Sequence, residues 1–205
     1  MNNRGPRAAQ LHLQSERLRE IVGLLKQLAP GFLIAMPQLG DPNFHRTVVL
    51  MIEHNEEGSM GLVINRASPL TLSQLGKGQK LKVAQALSGQ SVFVGGPVEP
   101  YRGFVLHDAK DVEEKLELMP GLYLSMTSDA LMGLLQMPTV RLRFCLGYAG
   151  WGPKQIEREL AQGAWLFTEA SAQTALDGDP KEIWGDTLKS MGVDPAMLMT
   201  GGGIH

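Results

Sequence analysis

The chain has 205 residues, 43% hydrophobic and 20% charged, with a formal net charge of -2 at pH 7. That balance suits a folded domain with a sizeable core, and it excludes a disordered chain and a global pull toward nucleic acid or anionic lipid. A single cysteine, Cys145, excludes an internal disulfide and fits a reducing compartment, and no apolar run approaches the roughly 18 residues of a membrane-spanning helix.

The expectation is therefore a cytoplasmic protein with no membrane association. In chain order, residues 1–10 read as tail. Leu11, Leu18, Ile21, Val22, Leu25 and Leu28 then recur at helical spacing up to the Pro30-Gly31 break, predicting one amphipathic helix that packs on its own domain or meets a partner. A domain over 30–195 follows, and 196–205 read as a flexible tail.

A short strand over 32–36 leads to a turn region. The segment 47–53 is β-branched and apolar on both faces, which predicts a strand central in its sheet. Asn55-Glu56-Glu57-Gly58 supplies turn chemistry and 59–65 returns as the second strand of a hairpin. A regular ladder pairs His54 with Ser59, Leu50 with Val63 and Val48 with Asn65, so about 20 Å separates His54 from Asn65 at roughly 3.3 Å per residue.

Between 71 and 87 a helix is expected in the second half, because Gly76 and Gly78 weaken the first. Strands follow over 91–94, 103–107 and 122–126. Thr127 or Ser128 caps a helix to about Gln136, which Pro138 ends. Within 140–148, Val140, Leu142, Phe144 and Leu146 alternate with Arg141, Arg143, Cys145 and Gly147, predicting a strand with one core face. A helix over 154–162, a strand over 164–168 and a helix to Met191 opened by an Asp179/Glu182 capping box complete the reading. Hairpins mixed with helices, without βαβ repetition, predict an α/β (α+β) fold: one mixed sheet flanked by helices.

Segments in order carry a family likeness: Gly31-Phe-Leu-Ile-Ala-Met-Pro37, Asp41-Pro-x-Phe44, Glu53-His-Asn55, Gly61-Leu-Val-Ile-Asn-Arg66, Gly95-Gly-Pro97, Arg102-Gly-Phe-Val-Leu-His107 and Gly147-Tyr-Ala-Gly-Trp151. Together they resemble the bacterial YqgE/AlgH family over roughly residues 30 to 195. The resemblance implies a strongly bent mixed sheet surrounded by helices and a cytoplasmic protein whose biochemistry is largely unassigned. Part of the family is named for regulation of alginate synthesis, which implies a role in gene expression and does not establish direct DNA binding. The chain departs from the family pattern in its added N-terminal segment, in Pro153 and in its Gly201-Gly-Gly-Ile-His205 ending.

No complete catalytic or metal motif is present, and neither a metal nor a cofactor is expected. The candidate ligand-binding residues are Asn65 and Arg66 beside His45 and Arg46, where guanidinium and amide donors suit a phosphate or carboxylate. Gly95 and Gly96 with Arg102 could let backbone amides approach an anion. Thr127 and Ser128 open a helix, with capping the simpler role. His107 beside Asp108 has the form of an acid-base group, and Cys145 lies two residues from a cation that would favour its thiolate, although a structural histidine and a buried core thiol are the plainer readings. At the hairpin turn, His54 with Glu56 and Glu57 reads as a solvated turn.

The leading expectation is a non-catalytic binding or regulatory protein holding an anionic small molecule or a protein partner. An enzyme using the same pocket through His107 or Cys145 is second. Direct DNA binding through Lys77, Lys80, Lys82, Arg141 and Arg143 ranks last, since no DNA-reading motif accompanies them.

Overall fold

The computed structural model describes residues 28–200. Most of the expected N-terminal helix and the last five residues lie outside these. Among the described residues ten strands form a mixed sheet that does not close into a barrel; side by side run β10 (Trp165–Glu169), β1 (Gly31–Ala35), β2 (Val48–Asn55), β3 (Gly58–Val63), β9 (Leu142–Trp151), β6 (Val98–His107), β8 (Leu122–Ser125) and β7 (Leu116–Met119), with β5 (Ser91–Val94) on β9 and β4 (Ala67–Thr71) on β5. Among the described residues no helix is long and apolar enough to cross a membrane.

Strand β2 (Val48–Asn55) lies between β1 (Gly31–Ala35) and β3 (Gly58–Val63), as its apolar faces require. Val48 and Leu50 enter one core cluster while Val49 and Met51 enter another on the opposite face, all four at 0% exposure. The expected ladder needs one correction. Met51 faces Gly61 but Glu53 faces Met60, so Ile52 is a β-bulge that absorbs one residue. His54 still pairs with Ser59, whereas Leu50 pairs with Leu62 and Val49 with Val63. Asn65 is thereby left beyond the ladder, with its side chain available for other work.

Strand β4 (Ala67–Thr71) was not expected, and its pairing to β5 (Ser91–Val94) is confined to Ala67 and Thr71. Helix α1 spans Leu72–Gln79, the first half of the segment whose second half was expected to be helical. Thr71 and Gln74 form a reciprocal capping box that fixes its start. Gly76 is buried, where a Cβ would stand 2.6 Å from Val83 Cγ2, so this glycine permits close packing and does not break the helix.

The long strands β6 (Val98–His107) and β9 (Leu142–Trp151) pair antiparallel, and β6 continues to β8 (Leu122–Ser125) and the edge strand β7 (Leu116–Met119). On its other edge β9 carries β5, in parallel, along Cys145 and Leu146, and β3 along Ala149 to Trp151. Gly147 sits at φ 73 within β9, where the β6–β9 register shifts between Val98 and Gly103 so that residues 99–102 of β6 form a bulge. Strand β9 is buried on both faces, so the one-faced reading is corrected: Leu142 and Phe144 enter one cluster, Cys145 a second, and Ala149 and Trp151 a third.

Helix α2 (Ser128–Leu135) starts as expected, Thr127 accepting from the Ala130 amide. Helix α3 (Gln155–Ala161) precedes the edge strand β10 (Trp165–Glu169). Helix α4 (Ala172–Asp177), unforeseen, and α5 (Ile183–Ser190) pack Ala175, Leu176, Ile183, Trp184 and Leu188 onto the sheet. Asp179 caps Lys181 through its Oδ1 at 2.9 Å, so α5 opens three residues after Pro180 rather than at it. Residues expected in the flexible tail include a short helix, α6 (Pro195–Thr200).

Candidate functional site

Each expected site residue has a definite place. Asn65 closes the open end of the hairpin: Oδ1 accepts from the Val48 amide at 2.8 Å and Nδ2 donates to the Arg46 carbonyl at 2.9 Å. Arg66 donates to the Pro42 carbonyl at 3.2 Å, and the Arg46 guanidinium lies 5.5 Å over the Trp184 ring. These donors hold the chain's own loop.

Gly95 donates to Leu146 and accepts from Val63, both at 2.7 Å, and Gly96 is buried with the Tyr148 backbone where its Cβ would stand. The two glycines exist for close approach to β9. Arg102 pairs with Glu99 at 3.0 Å and stacks 5.3 Å over Phe104. Arg66 bonds through its carbonyl to Val94, which neighbours Leu146, which neighbours Gly103. Three such strand steps put the backbones of Arg66 and Gly103 about 14 Å apart along the sheet, and neither Arg66 nor Arg102 lines the cavities described next.

His107 is 0% exposed, and its Nε2 lies 3.0 Å from Ser125 Oγ. Ser125 Oγ donates to the Glu114 carbonyl at 2.9 Å, so the imidazole is the donor in the pair. Burial lowers the His107 pKa to about 4, against a smaller opposing pull from Asp108. Cys145 is also 0% exposed; burial raises its thiol to about 12, outweighing Arg143. Thr127 caps α2 and Ser128 is exposed on its first turn.

Among the cavities that indent the surface of the described residues, three bear on function. One, about 450 Å³, opens at the hairpin tip between Glu53, Glu57, Met60, Val98, Tyr148 and Trp151. His54 there bonds Ser59 at 2.7 Å, and among the described residues no group of three His, Cys, Asp or Glu could hold a metal. A second, about 320 Å³, lies between β10 and the α4-α5 region, with Glu169, Asp179 and Asp186 on its walls.

The third, about 350 Å³, joins Ser91, Phe93, Arg141, Arg143 and Asp177. Arg143 is 3% exposed and bonds the carbonyls of Ile64, Leu176 and Gly178, with its guanidinium 4.5 Å over Phe93. It makes no ion pair with a described carboxylate. Burial lowers its pKa, while Cys145, Asp177 and Asp179 act the other way. Arg141, at the mouth, pairs with Asp108 and Asp177, each at 2.7 Å. Of the expected DNA-contact set, Arg143 is therefore inside the protein. Arg143 as a cleft residue had one sequence signal, a cation flanked directly by the apolar Leu142 and Phe144; Ser91 had none.

Comparison with known proteins sets this geometry in a family. The AlgH-like family model (DUF179) matches residues 32–196. A UPF0301 protein of Myxococcus xanthus is 61% identical over 181 residues, spanning 88% of this chain and 100% of that protein. One from Ralstonia pickettii is 41% identical, over 85% of this chain and 93% of its own. The solution structure of the AlgH protein from Pseudomonas aeruginosa matches with a TM-score of 0.67 at 36% identity, covering 87% of this chain and 96% of that one. A crystal structure from Corynebacterium diphtheriae, 22% identical with a TM-score of 0.65 over 86% of this chain and 92% of its own, shares the fold. With the family model matching most of its length and relatives covered almost end to end, the chain belongs to the AlgH-like family.

Proposed function

We propose that this chain is a non-catalytic binding protein of the cytoplasm that holds a small carboxylate- or phosphate-bearing molecule in the cleft between Arg141 and Arg143. Its liganded form acts on a protein partner, and through it on gene expression. The observation that carries the ligand class is Arg143: a buried cation on a cavity wall, held by three carbonyls and a ring and by no described carboxylate. A buried charge that Asp177 and Asp179 reach only from beyond ion-pair distance favours an incoming anion in direct contact. Arg141 at the mouth supplies the second guanidinium, and exchanging Asp177 for a ligand oxygen costs little at an exposed pair. The regulatory part rests on the family likeness.

Calorimetric titration and thermal shift with inorganic phosphate, citrate and ADP test the reading. Saturable binding of at least one is expected, lost in Arg141→Ala and kept in the distant Arg158→Ala. No saturable binding, or binding indifferent to Arg141→Ala, rejects it. An enzyme working through His107 or Cys145 is disfavoured by their complete burial.

A further inference from the structure

The hairpin-tip cavity lies at the other end of β9 from the arginine cleft. Seven residue steps lead from Arg143 to Gly150, at most about 23 Å at 3.3 Å per residue. Its floor is apolar and aromatic, formed by Met60, Val98, Tyr148 and Trp151, with the Tyr148 ring fixed edge-on to Phe104 at 5.9 Å and 68°. Its rim carries Glu53 and Glu57. Neither forms an ion pair with a described residue; Glu53 accepts only from the Asn55 amide, at 2.6 Å. No lysine or arginine lines the cavity. Just past Val98, Glu99 turns outward at φ 45 into the bulge that carries Tyr101, 93% exposed.

We infer that this groove docks a lysine- or arginine-bearing segment of a partner protein, its cationic side chain lying over Tyr148 between Glu53 and Glu57. Charge complementarity sets the sign of the occupant, because two uncompensated carboxylates over an aromatic floor attract a cation and repel acidic chains. The open side of the cavity suits an extended peptide over an enclosed small molecule, and Tyr101 offers a large amphipathic contact beside it, of the kind that anchors interfaces. The reading is independent of the arginine cleft, since the two share no lining residue.

The probe is a fluorescein-labelled tetralysine peptide followed by anisotropy, with tetraglutamate as its counterpart. Tetralysine is expected to bind and tetraglutamate not. The double variant Glu53→Gln/Glu57→Gln should weaken binding about tenfold, as two exposed charge pairs allow, and Tyr148→Leu, checked for an unchanged fold, should weaken it further. Glu113→Gln/Glu117→Gln, near the β7 edge, should leave it intact. The inference is overturned if tetralysine does not bind, if the two double variants weaken it equally, or if spermine displaces the peptide at the same monomer concentration, which would mark a site for free polyamines.

Discussion

His107 donates from Nε2 to the Ser125 hydroxyl across 3.0 Å inside the protein, and Ser125 passes its own hydrogen to the Glu114 carbonyl. The imidazole is neutral in this chain of bonds. With a folded pKa of about 4 against 6.5 when unfolded, the unfolded chain takes up a proton that the folded one refuses. Stability should be fully present above pH 6.5 and fall as pH drops toward 4, by about 3 kcal/mol in total. Urea unfolding across that window checks it, and His107→Gln should flatten this part of the profile.

Cys145 should be silent toward a thiol reagent such as Ellman's in the native protein and react only as fast as the chain opens. Its thiol is fully buried and held at about 12. Fast stoichiometric labelling of folded protein would contradict this.

Replacing Arg143 by methionine keeps bulk and removes the donors, leaving the carbonyls of Ile64, Leu176 and Gly178 without them. A loss of about 3 kcal/mol is expected in denaturant titration, since removing one side of a buried polar network leaves the other unpaired.

Glu159 accepts from the indole nitrogens of Trp151 at 3.1 Å and Trp165 at 2.8 Å, rings that pack with Phe44 in one aromatic cluster. Glu159→Ala should cost about 2 kcal/mol through two buried donors left unmet. Tryptophan emission, shifted in the native state, reads the change directly.

Gly147→Ala should lower the unfolding midpoint markedly, because φ 73 is strained for alanine and the new methyl would meet the Gly96 and Val98 carbonyls. Gly133→Ala, where a Cβ meets nothing, serves as the control on the same thermal scan.

Much of the fold was legible in local pattern. The two apolar faces of 48–51 announced a central strand, and Thr127 marked the start of α2, because both signals are set by immediate neighbours. The register of the hairpin was not, since the Ile52 bulge answers to contacts across strands. Thr71 and Gln74 carried a capping signal for α1 that Gly76 and Gly78 masked. Spacing along a chain does not report that Asn65, Gly95 and Arg102 spend polar groups on neighbouring backbone and side chains. Arg143 entered a cleft only once α4, invisible in the pattern, came to rest beside β9.

Strand β9 contributes to each of the three apolar clusters. No cluster can melt without loosening a segment shared with the others, so unfolding should be all-or-none, and the slowest amide exchange should fall on residues 142–151. Both clefts are therefore anchored to the last part of the molecule to open.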